Sequence, residues 1–400
     1  MKAKKLLAVS YGHFAIDVLN ASIAMVLTSA AGLYDLSVSQ IGLGAMICSL
    51  SASLTQPLFG ILADRFRGRW LGAVGLLWTA TFYALAPFAP GYWAMVAFLA
   101  IGALGSGALH PVGIVHASSA GGRLPTMATS IFFVSGQTGL ALGPFLAGLA
   151  IQTVGLQVGM PIMALATIPA VLVMAVLLHA PIEDATAPRH AHTVSGGGAS
   201  KRNRGLFVAT AFILLIAFRS SVTQSYMVLL PKHFSDAGYE PALYGAIIGV
   251  LTLGGALGTF TGGYLGDKFN RRIVIFLATV LSVPFLLGLL NGSGALLMAS
   301  AALAGALLNI PHSILLVMAQ QLLPARKGMI GGAVLGFMFA IGAVSAWLAS
   351  ILADVVGLET VLTVLAFFPI AAGICALVLP STRQPVVVPT NQTAPTVAAD

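Results

Sequence analysis

The chain has 400 residues, of which 58% are hydrophobic and only 8% are charged. Soluble domains carry about a quarter charged residues, so a soluble globular fold is excluded and lipid must cover part of the apolar surface. The formal net charge of +8 does not require a nucleic-acid partner, because almost all basic residues fall on one side of a predicted membrane.

Apolar runs of about 20 residues, the length that crosses a bilayer as a helix, recur along the whole chain. The first run lacks a small-residue cleavage site and carries Asp17 at its centre, so we interpret it as a retained span and not a signal peptide. The pattern predicts an all-α integral membrane protein with twelve transmembrane helices at 6–33, 40–63, 70–89, 92–117, 126–153, 158–180, 205–230, 241–266, 273–291, 294–320, 329–353 and 359–380.

One internal segment interrupts this rhythm. Residues 181–204 are polar, rich in Gly and Ser, and basic at the end, which is typical of a flexible linker. We therefore predict an N-terminal six-helix bundle at 1–180, a cytoplasmic linker at 181–204, a C-terminal bundle at 205–380 and a disordered cytoplasmic tail at 381–400. His190 and His192 in the linker are interpreted as solvated, and we expect no metal and no cofactor.

The basic residues set the orientation. If the N-terminus is cytoplasmic, all of the 19 lysines and arginines except Arg219 and Lys232 lie in cytoplasmic segments. Cytoplasmic loops carry such an excess of positive charge. The sequence thus predicts a multi-pass protein of a bacterial-type inner membrane, with both termini cytoplasmic.

The two halves repeat. His110 and His312 are 202 residues apart, and so are Asp17 and Arg219. A constant offset indicates two homologous six-helix bundles related by an axis along the membrane normal, as in major facilitator proteins.

Two loop segments resemble the signature loop of the major facilitator superfamily: GILADRFRGRW at 60–70 and GYLGDKFNRRI at 263–273. Asn270 takes the place of a glycine, and we expect it to tolerate a left-handed turn. The alternative is that both loops are only basic anchors at the membrane surface. The matching residues are Gly60, Asp64, Arg65, Gly263, Asp267 and Arg271.

The segment GLALGPFLAG at 139–148 resembles the antiporter motif of drug-exporting facilitators, with Gly139, Gly143, Pro144 and Gly148 matching. Glycines four residues apart make a flat face for close helix contact, and the proline is expected to bend the span. The alternative is packing of small residues without a transport role.

Across residues 9–383 the chain is similar to the fosmidomycin-resistance family of exporters. The segments that carry this similarity are 10–21, 105–117 and 319–343; the second departs from the family where Val112 follows Pro111 in place of an acid. The resemblance implies the major facilitator fold, drug efflux associated with antibiotic resistance, and a central cavity lined by spans one, four, seven and ten.

Several polar residues lie inside predicted spans, where a charge is costly unless it faces a cavity or a partner. His13, Asp17 and Asn20 share one helix face, and Arg219 lies at a similar depth in span seven. We predict that Asp17 and His110 carry coupling protons. A structural ion pair between Asp17 and Arg219 stays open as an alternative. The predicted substrate-binding residues are Arg219, His312, His13, Asn20, Gln137, Tyr226 and Asn309.

Together these features predict a proton-coupled antiporter that exports a small anionic or amphiphilic compound by alternating access. The alternative is a proton-coupled symporter that imports an organic acid or a similar metabolite. We do not expect an enzyme, because no nucleophile elbow, phosphate loop or metal-ligand cluster is found in the sequence. The expected partners are a small-molecule substrate, protons and the lipid bilayer, without nucleic acid, and we expect a monomer.

Overall fold

The computed structural model describes residues 2–66, 70–122, 125–178, 199–322 and 327–379. This part of the chain is helical, with short connections and one 3-10 turn at Ala86–Phe88. Its helices are α1 (Ala3–Ala21), α2 (Ile23–Tyr34), α3 (Val38–Phe66), α4 (Leu71–Leu85), α5 (Tyr92–Gly121), α6 (Pro125–Val154), α7 (Leu156–Ala166), α8 (Ile168–Leu177), α9 (Ala199–Asp236), α10 (Pro241–Lys268), α11 (Arg271–Asn291), α12 (Gly294–Leu322), α13 (Lys327–Val356), α14 (Leu358–Leu365) and α15 (Phe368–Val378).

Twelve helical stretches in the described residues are long and apolar enough to cross a membrane, which confirms the predicted number of spans. Three spans are each built from two helices: α1 with α2, α7 with α8, and α14 with α15. At the first break the Ser22 hydroxyl donates to the Leu19 carbonyl at 2.6 Å, and at the second the Thr167 hydroxyl donates to the Ala164 carbonyl at 2.7 Å. Each of these carbonyls also accepts from the backbone N–H of the same residue, at 3.1 Å in both cases.

Helix α9 begins at Ala199, and its membrane-crossing stretch is Leu206–Asp236. Asn270 does not use the left-handed turn that it was expected to tolerate. Its φ is −67°, and its side chain accepts from the Arg272 N–H as the N-cap of α11, the usual role of Asn at a helix start. Residues 179–198 and 380–400, which include most of the predicted linker and the tail, lie outside the described residues.

The bundle has two ends. We call the end at which α1 begins and α15 finishes the terminus face, and the opposite end the distal face. At the distal side one apolar cluster runs through both halves, from Leu27 and Ile41 to Tyr226 and Leu362. Towards the terminus face the described core forms two separate clusters, one in each half. The halves are therefore packed together distally and have separate cores at the other end.

Two helix pairs close the distal side, α3 against α13 and α6 against α10. Both contacts depend on glycine. A side-chain carbon on Gly42 would collide with Ser350 of α13, and one on Gly245 would collide with the Pro144 carbonyl of α6. Close backbone approach of this kind is how helices associate in lipid.

Candidate functional site

The first half of the site is on α1. His13, Asp17 and Asn20 point in one direction, as their spacing predicts, and Asp17 is only 5% exposed. His13 Nε2 lies 3.1 Å from Asp17 Oδ2. The Asn20 amide donates to Asp17 Oδ1 at 3.0 Å. Each carboxylate oxygen thus has a neighbour from its own helix.

Helix α5 brings the third ionisable group. His110 Nε2 lies 3.5 Å from Asp17 Oδ1, and Asn20 also donates to the Ser106 hydroxyl of α5 at 2.8 Å. The His110 side chain is 22% exposed, more than that of His13 or Asp17. His110 is therefore the most accessible member of this trio.

Both imidazoles are oriented by backbone carbonyls. His13 Nδ1 lies 2.7 Å from the Phe132 carbonyl, and His110 Nδ1 lies 2.8 Å from the Ser106 carbonyl. A carbonyl only accepts, so Nδ1 carries the proton in each ring. When these rings are neutral, their Nε2 atoms are acceptors that face an acceptor carboxylate. The 3.1 Å contact between His13 and Asp17 is therefore favourable only when a cation, such as a proton, lies between the two groups.

Helix α6 covers this cluster without leaving space. A side-chain carbon on Gly136 would lie 2.5 Å from His13 Nε2 and 2.7 Å from Asp17 Oδ2. The His13 ring stacks on Phe132 with centroids 3.9 Å apart. Because these atoms are closely packed, the side chains of His13 and Asp17 cannot move apart without moving α6.

The second half of the site is on α9 and α12. Arg219 is 3% exposed. Its Nε donates to the Leu308 carbonyl at 2.7 Å, and one terminal nitrogen donates to Asn309 Oδ1 at 2.7 Å. His312, one turn beyond Asn309, lies close enough to interact electrostatically with Arg219. A guanidinium has five N–H donors, so these two bonds leave donors for a ligand.

Asp17 and Arg219 do not pair. Within the described residues, the ion-pair contacts of Asp17 are with His13 and His110, and no carboxylate lies within 4.0 Å of the Arg219 guanidinium. The alternative of a structural ion pair between the halves is therefore not formed in this conformation. Among the residues that the structure describes, the buried Arg219 guanidinium donates to neutral oxygens.

The segment that resembles the antiporter motif has two contact faces. Gly139 and Gly143 face α1: a side-chain carbon on Gly139 would lie 3.1 Å from Asp17 Cβ, and one on Gly143 would lie 2.6 Å from the Val18 carbonyl. Pro144 and Gly148 instead meet the start of α10 in the other half. The segment is thus packed between the helix of Asp17 and the opposite bundle.

The remaining predicted residues are placed differently. Gln137 is exposed on α6. Tyr226 is 1% exposed inside the distal apolar cluster, and its hydroxyl donates to the Leu362 carbonyl at 2.9 Å. Its donor is already used, so its expected substrate contact is corrected to a packing role in this conformation.

The two loop motifs are only partly visible. Arg271 is buried, and its Nε donates to the Gly266 carbonyl at 3.1 Å. Gly263 lies beside Ser313. Gly60 is within α3, but the side chains of Asp64, Arg65 and Asp267 lie outside the described residues.

Three residues of the site were missed in the sequence: Ser106, Phe132 and Gly136. Ser106 lies four residues before His110, a spacing that places both on one helix face and that could have indicated it. Phe132 acts through its carbonyl, for which a sequence holds no signal.

The trio of His13, Asp17 and His110 could also hold a metal ion, since one ligand atom from each lies within 4.8 Å of the others.

Comparison with known proteins agrees with this architecture. The sequence pattern described as Major Facilitator Superfamily matches residues 7–240 and 212–399. The chain is 28% identical over 392 residues to the fosmidomycin resistance protein of Escherichia coli (strain K12), covering 94% of this chain and 93% of that protein. It is also 28% identical over 390 residues to the uncharacterized MFS-type transporter YfnC of Bacillus subtilis (strain 168), covering 95% and 93%.

Solved structures show the same fold at low identity. A bacterial homolog of the human lysosomal transporter Spinster, in an inward-facing and occupied conformation, superimposes with a TM-score of 0.77 at 14% identity, covering 93% of this chain and 95% of that one. A D-xylose-proton symporter superimposes with a TM-score of 0.73 at 14% identity, covering 94% and 98%. The match to the family pattern over most of the sequence decides the question: this chain is a transporter of the Major Facilitator Superfamily.

Proposed function

We propose that this transporter is a proton-coupled antiporter that exports a small anionic or amphiphilic compound by alternating access. The observation that carries the proposal is the opposite chemistry at equivalent positions: a carboxylate shared by two imidazoles around Asp17, and a buried cation without a carboxylate at Arg219. The E. coli relative, named for fosmidomycin resistance, supports drug efflux as the direction of transport.

The orientation of the protein belongs to the same proposal. The basic residues favour the terminus face as the cytoplasmic side of a bacterial-type inner membrane, with both termini inside. The distal face is then external, and the separate cores at the terminus face correspond to an inward-facing state. We propose that a monomer is sufficient, since each half supplies one part of the site.

Protons are proposed to be held in the first half. We assign a shared proton to the contact between His13 and Asp17, because the Nδ1 atom of His13 faces a carbonyl and its Nε2 atom faces the carboxylate. The Nδ1 atom of His110 also faces a carbonyl. Loss of that proton leaves two acceptors facing each other, and they repel. We therefore assign Asp17 and His110 to proton coupling, as predicted, and add His13 to them; Asn20 positions the carboxylate.

The substrate is proposed to bind in the second half. A buried guanidinium without a counter-ion is costly, and an anion removes that cost. The free donors of Arg219 form a fork that suits a carboxylate or a phosphonate. Asn309 orients the guanidinium, and His312 adds a second polar contact beside it. Gln137 is proposed to face the substrate from the opposite half.

The antiporter segment is proposed to couple the two events. Its glycines touch α1 at Asp17 and Val18, and its other face touches α10. His13 and Asp17 both belong to α1, so a separation of their side chains would push those side chains against Gly136 of α6. The displacement would then reach the α6–α10 contact that closes the distal side.

Membrane vesicles of opposite orientation test the proposal. Inverted vesicles from an expressing strain should accumulate the substrate when their interior is acid, and right-side-out vesicles with an acid exterior should not. The substrate panel should include fosmidomycin, other phosphonates, carboxylates and neutral analogues, with vector-only vesicles as the control. Accumulation in right-side-out vesicles under an inward proton gradient would establish the symporter in place of the antiporter.

A further inference from the structure

Asp354, near the distal end of α13, makes a contact between the two halves of the transporter. One carboxylate oxygen accepts from the Val38 N–H at 2.8 Å, and the other accepts from the Ser39 N–H at 3.0 Å. Val38 begins α3, in the first half. The carboxylate thus caps the start of a helix that belongs to the opposite bundle.

Gln152 makes the equivalent contact on the other side of the molecule. Its side-chain oxygen accepts from the Ala242 N–H at 3.1 Å, at the start of α10. Gln152 and Asp354 are 202 residues apart, the offset that relates His110 to His312. Each helix pair that closes the distal side therefore has one polar side chain that caps its partner.

These caps exist only while the halves are together. The first N–H groups of a helix have no partner within it, and the positive end of the helix dipole attracts a carboxylate. Asp354 itself lies in the last turn of α13, where a negative charge is unfavourable. Its favourable partner is the start of α3, and opening the distal face removes that partner.

We propose that Asp354 is a charged latch of the distal gate and that Gln152 is its neutral counterpart. The latch sets the ratio of the distal-open to the distal-closed conformation. The Asp354 carboxylate caps α3 on one side of the molecule, and the Gln152 amide caps α10 on the other. The proposal does not depend on protons, substrate or direction of transport, and it can fail while the proposed function holds, or the reverse.

The test measures the distance between the halves. Spin labels are attached to cysteines at Leu33 in α2 and Ala237 after α9, both exposed at the distal face, after Cys48→Ala and Cys375→Ala remove the native thiols. Electron–electron double resonance then reports the open-to-closed ratio. Loss of a charged cap with two bonds should raise this ratio about three- to tenfold in Asp354→Asn. Gln152→Glu, added to Asp354→Asn, should lower it again.

The matched control is Glu359→Gln, the same chemical change on the same face of the second half, which should leave the ratio unchanged. An unchanged ratio in Asp354→Asn would overturn the latch. If that variant folds poorly, the wild-type protein is compared between about 0.05 and 0.5 M NaCl, because an exposed charge is screened by salt. A rise of about twofold with salt supports the latch, and no rise overturns it.

Discussion

The two halves of this transporter place different chemistry at equivalent positions. In the first half, three ionisable groups lie together around Asp17. In the second, the Arg219 guanidinium donates to the Leu308 carbonyl and to the Asn309 side-chain oxygen. Asp17 and Arg219 are 202 residues apart, the offset that also relates His110 to His312. The difference supports the proposal that one copy holds protons among its own residues, whereas the other leaves a charge for a bound anion to neutralise.

Burial makes the two charges costly in free energy, and the two halves offset that cost differently. A charge at the centre of a span costs about 3 kcal/mol even on lenient scales. Asp17 is compensated by two imidazoles and an amide. Arg219 has two hydrogen bonds but no opposite charge within 4.0 Å among the described residues. The second half therefore has the stronger reason to bind an anion.

The largest effect is expected for Asp17→Asn. The amide keeps the size of the side chain but cannot exchange a proton, so proton-driven transport should fall about 100-fold, the loss typical of removing an essential proton-transfer group. Flux is measured in vesicles with an imposed pH gradient. Asp35→Asn is the matched control: Asp35 has a positive φ of 49°, which Asn tolerates, and transport should be unchanged. Normal pH-driven flux in Asp17→Asn would remove Asp17 from the proton path.

Gly143→Leu should have the next largest effect. The added side chain would collide with the Val18 carbonyl and Ala21, and overpacking of about 1–3 kcal/mol should reduce transport about tenfold or more while the protein still inserts. Expression and substrate flux are measured together. Gly32→Leu is the control, because a side-chain carbon there meets nothing within 4 Å. Equal flux in both variants would show that the segment packs without a role in transport.

Arg219→Lys sharpens the assignment of the second half. A point charge replaces a planar fork, so the apparent affinity for an anionic substrate should weaken about tenfold, or about 1.4 kcal/mol, and less for a neutral one. Transport kinetics with one anionic and one neutral substrate decide this.

The double variant Asp17→Asn with Arg219→Gln should not restore expression lost in either single variant. Restoration, with equal losses for both substrates, would indicate a structural pair.

The smallest effect is expected for His110→Asn. The Asn amide can still donate to the Ser106 carbonyl, but it lacks the nitrogen that faces Asp17. Transport should fall about threefold, well below the loss for removing the carboxylate, and it should depend less steeply on pH. Initial rates between about pH 5.5 and 8 are compared with His233→Asn, an imidazole at the distal end of α9. An unaltered pH profile in His110→Asn would exclude this imidazole from proton coupling.

The sequence predicted the spans better than the site. Lipid forces each crossing to be a long apolar helix, so the twelve spans could be counted, and the spacing of His13, Asp17 and Asn20 placed them on one face. The helical residues before the span, from Ala199, were not predicted because they are mostly polar. Asn270 was expected to tolerate a left-handed turn, but its φ is −67° and it caps α11.

What the sequence could not supply was the set of contacts between helices. The carbonyls of Phe132 and Ser106 orient the imidazoles, and any residue type could have provided those carbonyls. Tyr226 was placed in the substrate site because it is polar and lies in span seven. Its burial in the distal cluster depends on α14, which follows more than a hundred residues later. The separation of Asp17 from Arg219 likewise became visible only from their partners.

The most direct test of the central claim is a proton count on substrate binding. Purified transporter in weakly buffered detergent is mixed with the anionic substrate that the panel identifies, and a pH-sensitive dye records proton exchange. The account predicts release of about one proton per bound substrate, since the two ligands oppose each other's binding. Asp17→Asn should bind the substrate without releasing a proton. Arg219→Gln should neither bind the substrate nor release a proton. Proton uptake by the wild-type protein, or binding without any proton change, would contradict the exchange of protons for an anion.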